Sequence, residues 1–138
     1  MIRNAKALTE IRRSWNGVEA LRRQLQRSAA ISTVAGGMFP HALADAAHNL
    51  PFIHACAVLN EALIQLAREG RISCSGISLG DLVKAGAKRL RWKNLEVIRS
   101  GIRKRNAVAH RGKLLPRADC WTYVDAIERE LRGWGIVT

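Results

Sequence analysis

The sequence predicts an all-α fold, a bundle of four or five helices. Ala, Leu and Arg are abundant, and alternating runs of β-branched residues are rare, a composition that is typical of helical proteins. Apolar residues recur at helical spacing along several stretches, which indicates amphipathic helices. Because 48% of the 138 residues are hydrophobic, the chain can bury a core. We therefore expect a single helical domain over residues 1–138.

The first helix is expected over residues 4–29. One of its faces carries a nearly heptad apolar stripe, so this helix must pack on another, in its own chain or in a partner's; the stripe consists of Leu8, Ile11, Trp15, Val18, Leu21 and Leu25. Residues 31–40 contain several poor helix formers and are predicted to be a break. The Gly36-Gly37 pair lacks the flanking pattern of a phosphate-binding loop, and we interpret it as a turn.

The second helical region, residues 41–69, is apolar around much of its girth and is expected to be the central core helix. Pro51 lies inside it, so either the helix kinks there or a new helix begins with this proline in its first turn. No stretch of the chain is expected to be apolar for long enough to span a bilayer.

Three shorter helices complete the prediction. Ser78 and Asp81 resemble a capping box at the start of the first, and Gly112 is expected to end the second. The tail of residues 133–138 is expected to be loosely attached. The three helices are predicted over residues 79–90, 94–110 and 119–131.

The positive charge is concentrated in one segment. Of a formal net charge of +12, residues 84–117 carry +11, because they hold twelve Lys or Arg and a single acid, Glu96. Such a field suits a polyanion, most simply a nucleic acid. A membrane surface is disfavoured, because the aromatic residues do not line the basic face. The alternative is a solvated basic face that aids solubility.

The cysteines and histidines show no metal-binding pattern. The three cysteines are widely spaced and form no Cys-x-x-Cys pair, so we expect reduced thiols in a cytoplasmic protein that has no signal peptide. Without a His-Glu-x-x-His motif, the histidines outside the basic segment are expected to be surface or core residues. We predict no metal and no cofactor. The residues concerned are Cys56, Cys74, Cys120, His41, His48 and His54.

A polar cluster near the end of the fourth predicted helix is the candidate site. At about 100° per residue, Asn106 and Arg105 fall on the two flanks of an apolar stripe, and His110 lies beyond Asn106. Burying such groups without partners is unfavourable, so we expect them to line a water-filled cleft. Histidine can transfer a proton near neutral pH, and arginine can hold a phosphate and stabilise its transition-state charge. RNA would supply its own nucleophile, the 2′-hydroxyl. The apolar stripe consists of Leu95, Ile98, Ile102 and Ala109.

The segment Arg105-Asn106-x-x-x-His110 resembles the motif of HEPN-domain ribonucleases. In that family an arginine, often followed by a polar residue, precedes a histidine by four to six intervening residues. The predicted bundle with the motif on a late helix also resembles that family. In the subfamily that a nucleotidyltransferase antitoxin regulates, a tyrosine follows the histidine by two residues. Gly112 stands at that position here, so that mode of control is in doubt.

The resemblance implies a toxin or antiphage effector that cleaves RNA, such as tRNA or mRNA, without a metal. The expected products carry 2′,3′-cyclic phosphate and 5′-hydroxyl ends. His110 would be the general acid or base, and Arg105 would stabilise the phosphate charge. Asn106 would orient the histidine or bind a phosphate oxygen. The family further implies a homodimer with the active site at the dimer cleft, and a cognate antitoxin or regulatory protein.

Basic residues around the motif are candidates for contacts to the RNA backbone, because binding requires phosphate neutralisation. Trp92 could stack on a base, although packing is the favoured interpretation. Asn60 and Glu61 could face the same cleft, or both could be half-exposed helix positions. The alternative function is a non-catalytic basic helical module that binds nucleic acid or a partner protein, and a third is a membrane-surface protein. The basic candidates are Lys104, Arg111, Arg103, Lys88, Arg89 and Arg91.

Overall fold

The helices of the computed structural model confirm the predicted all-α bundle. The structure describes the backbone of residues 1–34 and 41–138, and the side chains of residues 1–28 and 46–138. Within these residues it contains no β-strand. The helices are α1 (Ala5–Val34), α2 (His41–Arg68), α3 (Leu79–Gly86), α4 (Leu95–Arg111) and α5 (Arg117–Gly133).

Helix α2 is the centre of the bundle, because it contacts α1, α3, α4 and α5. Its large apolar side chains are enclosed, among them Phe52, Leu59 and Leu63. Contrary to the sequence expectation, the stretch Ala46–Arg68 is long and apolar enough to cross a bilayer by length and composition, with a mean hydropathy of 1.4. The bundle buries 56% of that stretch, which is the environment of a core helix.

Three helix boundaries in the structure differ from the predicted ones. Helix α2 runs through Pro51 without interruption, so the interpretation in which a new helix begins there is wrong. Helix α1 extends to Val34, beyond the predicted start of the break, whereas Gly36 and Gly37 lie outside the described residues. Helix α3 ends at Gly86 and not at residue 90; the Gly86 carbonyl accepts the Leu90 backbone N–H and the indole N–H of Trp92, both at 3.0 Å.

The apolar stripe of α1 packs on α2 of the same chain. Ile11, Trp15 and Val18 are buried there, while Leu21 and Leu25 are partly exposed. The described residues therefore show the first of the two alternatives that the stripe left open, which is packing on a helix of the same chain.

The C-terminal tail is part of the core, so the prediction of a loosely attached tail is also wrong. Trp134, Ile136 and Val137 are buried. The indole N–H of Trp134 donates to the Arg91 carbonyl at 3.1 Å, and the Arg12 Nε donates to the Ile136 carbonyl at 2.7 Å. The chain turns at Gly135, which has a φ of +68° in the region that favours glycine.

A buried carboxylate fixes the start of α4 on α5. Glu130 is fully enclosed, and both of its oxygens accept from the Lys93 backbone N–H, at 2.9 and 3.0 Å. One of them also accepts from the Asn94 backbone N–H. A negative group at a helix N-terminus is favourable, and these hydrogen bonds offset its desolvation.

We expect Trp134→Ala to lower the free energy of unfolding by about 3–5 kcal/mol, the range for removing a buried aromatic side chain. Denaturant unfolding followed by circular dichroism measures this change. Thr138→Ala is the control, because Thr138 is exposed at the end of the same tail. A Trp134→Ala protein as stable as the control would show that the tail does not pack on the core.

Glu69 ties the end of α2 to the start of α1. Hydrogen bonds from the Gln65 side-chain amide and from the backbone N–H groups of Arg3 and Asn4 lower the pKa of Glu69 from 4.5 to about 2. The ionised form is therefore favoured in the folded state. Its contribution to stability is complete above pH 4.5 and is lost as the pH falls toward 2.

We therefore expect Glu69→Gln to destabilise the protein above pH 4.5, and the difference from wild type to vanish near pH 2. Thermal denaturation at several pH values between 2 and 6 measures it. Glu61→Gln, at an exposed carboxylate on α2, is the control and should show no such pH-dependent difference. A Glu69→Gln difference that is constant across this pH range contradicts the prediction.

Candidate functional site

The three motif residues line one open groove of about 410 Å³. The groove is bounded by the C-terminal half of α4, the N-terminal end of α3 and one position of α2. Its lining contains no Asp or Glu. The lining residues are Asn60, Ile77, Ser78, Leu79, Gly80, Arg105, Asn106 and His110.

A glycine ends α4 directly after the motif. Gly112 has a φ of +63° and caps the helix, with its N–H donating to the Val108 carbonyl at 3.2 Å. This left-handed conformation is the usual role of a glycine at a helix C-terminus. The predicted stop at Gly112 is therefore confirmed.

The loop that follows is fixed to α2 by a reciprocal amide contact. The Leu115 N–H donates to Asn49 Oδ1, and Asn49 Nδ2 donates to the Leu115 carbonyl, both at 3.0 Å. Both groups are buried, and Leu115 itself is buried. Because the loop cannot move away from α2 without breaking these bonds, the end of α4 is held beside α2.

The buried face of α4 differs from the predicted one. Its buried residues are Ile98, Gly101, Ile102 and Val108, whereas Ala109 is exposed. At 3.6 residues per turn, the centre of this face passes through Arg105, which is half-buried. Asn106 and His110 are exposed. The prediction that Arg105 intrudes on the buried face is therefore confirmed, whereas the same prediction for Asn106 is wrong.

A close approach between helices explains the shift. A Cβ atom added at Gly101 would lie 2.9 Å from the Tyr123 ring, closer than van der Waals contact permits. The absence of a side chain therefore lets α4 and α5 approach, and the buried face turns toward Gly101 and Val108.

Asn106 accepts a hydrogen bond from the Arg105 side chain. The Arg105 Nη1 donates to Asn106 Oδ1 at 3.2 Å, and the guanidinium lies near enough to Cys56 to affect the pKa of that thiol. Burial raises the pKa of Cys56 to about 12, although the Arg105 charge and hydrogen bond act in the opposite direction. The thiol is therefore neutral, and the described residues offer Arg105 no carboxylate partner. Its charge remains available for an anion.

The other basic residues of α4 lie on different faces. Arg103, Lys104 and Arg111 are all exposed. Successive residues of a helix are about 100° apart, so Arg103 points within about 20° of His110, and Lys104 points about 120° from it. Arg103 is thus better placed than Lys104 to share a ligand with His110.

The basic residues before α4 are not brought to the groove. Lys88, Arg89 and Arg91 are exposed in the segment between α3 and α4. None of the three is among the residues that line the groove.

Trp92 packs on the C-terminal tail. Its ring lies perpendicular to that of Trp134, with the centroids 4.7 Å apart. The packing interpretation of Trp92 is confirmed.

The two candidate residues on α2, Asn60 and Glu61, line different grooves. Asn60 lines the groove beside the motif, but Glu61 lines another groove of about 270 Å³ between α1 and α2, together with His54. His48 is buried with its ring at the edge of Trp121, and the side chain of His41 lies outside the described residues. No group of three potential metal ligands occurs among the described residues.

Sequence reasoning missed part of the groove wall. Ile77 is 84% exposed, and Ser78 was recognised as a helix cap alone, a role that its contact with the Asp81 N–H confirms. The contact of Cys56 with Arg105 was also missed. The sequence signal that could have revealed this part of the wall was an isoleucine in a loop, directly before a predicted helix start.

No protein-family model matches the chain, and neither a curated protein nor a solved structure matches it.

Proposed function

We propose that the protein is a metal-independent endoribonuclease of the HEPN-like kind. The observation that supports it most is the groove in which Arg105, Asn106 and His110 meet without a carboxylate. The three motif residues belong to the segment, residues 84–117, that carries +11 of the net charge of +12. A cationic group, a proton-transfer group and a basic surface are what RNA transesterification requires.

In the proposed reaction the RNA 2′-oxygen attacks the adjacent phosphorus. A bond from the 2′-oxygen to phosphorus forms, and the bond from phosphorus to the 5′-oxygen breaks. A base takes the 2′-proton, and an acid protonates the leaving 5′-oxygen, which yields 2′,3′-cyclic phosphate and 5′-hydroxyl ends. Arg105 stabilises the charge on the pentacovalent phosphate, and Asn106 orients Arg105 through the contact at 3.2 Å.

His110 carries out one of the two proton transfers. The proposal includes a homodimer, in which the same residue of a second protomer carries out the other across a dimer cleft. The exposure of His110 in the isolated chain supports this arrangement, because an open groove leaves room for a second copy. A toxin or antiphage role, with a cognate antitoxin or regulatory protein in the cytoplasm, is the biological part of the proposal and rests on the resemblance.

The second candidate is a non-catalytic basic module that binds nucleic acid or a partner protein. The position of Lys88, Arg89 and Arg91 favours it, because these residues form an exposed basic segment that does not line the groove. The buried Trp134 and Glu130 hold that segment through the Arg91 carbonyl and the Lys93 N–H. In this case charge reversal of the three residues would abolish function, and His110→Ala would not.

We expect His110→Ala to reduce cleavage of total RNA and tRNA in EDTA by roughly 10²- to 10⁴-fold, the usual contribution of a general acid or base. Gel electrophoresis measures cleavage, and the product ends are tested for cyclic phosphate. Folding and RNA binding should persist, because His110 is exposed. His54→Ala is the matched control, since His54 lies in the other groove.

Equal cleavage by wild type and His110→Ala would remove His110 from the mechanism. Tight RNA binding without cleavage by either protein would support the binding module instead.

We expect Arg103→Ala to weaken RNA binding more than Lys104→Ala, although each removes one positive charge. Arg103 shares the face of His110, so its loss should lower the slope of log affinity against log salt by about 0.7, the value for one contact to a single strand. Fluorescence anisotropy with a labelled RNA at several salt concentrations measures both variants. Equal slopes would show that the contribution of charge does not depend on the helix face.

A further inference from the structure

We propose that Asn60 and Ile77 form a nucleobase subsite in the groove that Arg105 and His110 also line, in which Asn60 Oδ1 accepts a hydrogen bond from the amino group of a base. The inference rests on the proposed function to the extent that the groove must hold RNA. It adds a basis for substrate choice, which the motif does not supply.

The first support is an unsatisfied polar atom. Asn60 lines the groove, and its Oδ1 is enclosed without a hydrogen-bond partner among the described residues. The preceding residue, Leu59, is fully buried, so the oxygen lies at the boundary of the apolar core. An enclosed acceptor without a donor is unfavourable for folding, which an interaction from outside the chain would compensate.

Asn49 shows how a structural asparagine on the same helix behaves. It lies eleven residues before Asn60, about three turns, and therefore on nearly the same face of α2. Both atoms of its amide are paired with the backbone of Leu115 at 3.0 Å. The fold provides Leu115 for Asn49, but among the described residues it provides no donor for Asn60 Oδ1.

The second support is the exposed isoleucine in the same groove. Ile77 is 84% exposed and stands next to Ser78, which also lines the groove. An apolar side chain in this position can pack on the face of a base while Asn60 contacts its edge. The same groove then offers Arg105 and His110 to a phosphate and Asn60 and Ile77 to a base.

The chemistry of an unpaired acceptor selects among bases. Cytosine and adenine present an amino group where uracil and hypoxanthine present a carbonyl oxygen, which would repel Oδ1. Oδ1 is the enclosed atom that lacks a partner in the free protein, and in the proposed complex the Asn60 side chain turns so that Oδ1, and not the amide NH2 group, faces the base. The N–H of the base then supplies the partner that the interior lacks. A site built for a donor rejects an analogue without it.

The test measures binding in the His110→Ala background, so that the RNA stays intact. Labelled octanucleotides of cytidine and uridine form one matched pair, and those of adenosine and inosine form another. We expect the amino base of each pair to bind about tenfold more tightly, by fluorescence anisotropy, and Asn60→Leu to reduce the difference to less than twofold. Glu61→Gln, which changes the next residue but faces the other groove, should retain the preference.

A stability measurement accompanies the binding. Asn60→Leu should leave the melting temperature unchanged or raise it, because it removes an unsatisfied acceptor. Asn49→Leu should lower the melting temperature by several degrees, because it strands the N–H and carbonyl of Leu115. A loss in Asn60→Leu as large as that in Asn49→Leu would overturn the inference, since Asn60 would then be structural.

The outcomes separate this inference from the proposed function. A wild-type protein that cleaves RNA through His110, while the His110→Ala protein binds the cytidine and uridine octamers equally, overturns the base subsite and leaves the ribonuclease intact. A preference that survives Asn60→Leu also overturns the subsite. Asn60-dependent preference without any cleavage by wild type overturns the ribonuclease and retains the subsite as a binding site.

Discussion

The requirement to cover α2 determines the arrangement of the other helices. A helix that is apolar on most sides must be enclosed on most sides, and α1, α3, α4 and α5 all contact it. The end of α4 and the beginning of α3 consequently meet beside the position of Asn60, and the space between them is the groove. The candidate site is therefore a consequence of how the core is closed, and the Asn49 contact with Leu115 secures its edge.

Arg105 occupies a position where an apolar residue would be expected. It follows Ile98 and Ile102 along the buried face of α4, and the helix that it meets offers a thiol and not a carboxylate. A carboxylate there would neutralise the guanidinium and compete with a phosphate. The neutral Cys56 thiol beside Arg105 leaves the positive charge uncancelled. Under the proposed function, this charge is the anion-binding group.

Sequence periodicity was sufficient to predict where the helices lie, but not which face of α4 is buried. The stripe through Ala109 was a reasonable prediction, yet the close contact of Gly101 with Tyr123 turns Val108 inward, and such a contact depends on a partner helix that the local pattern does not reveal. The prediction for the tail was wrong for a related reason, because Trp134 packs in the core against parts of the fold that the local pattern does not reveal. Charge counting grouped Arg91 with the motif residues, but in the structure Arg91 does not line the groove.

The position of the motif at the end of α4 has an electrostatic consequence. The C-terminus of a helix carries partial negative charge, which disfavours a bound phosphate. The N-terminal end of α3 lies across the groove and carries the opposite sign, but Asp81 in its first turn opposes that contribution. The side chains must therefore supply the positive potential, and Arg103, Arg105 and Arg111 are placed along the last two to three turns of α4. Under the proposed function, these α4 side chains supply the positive potential at the groove, whereas the basic residues before α4 do not line it.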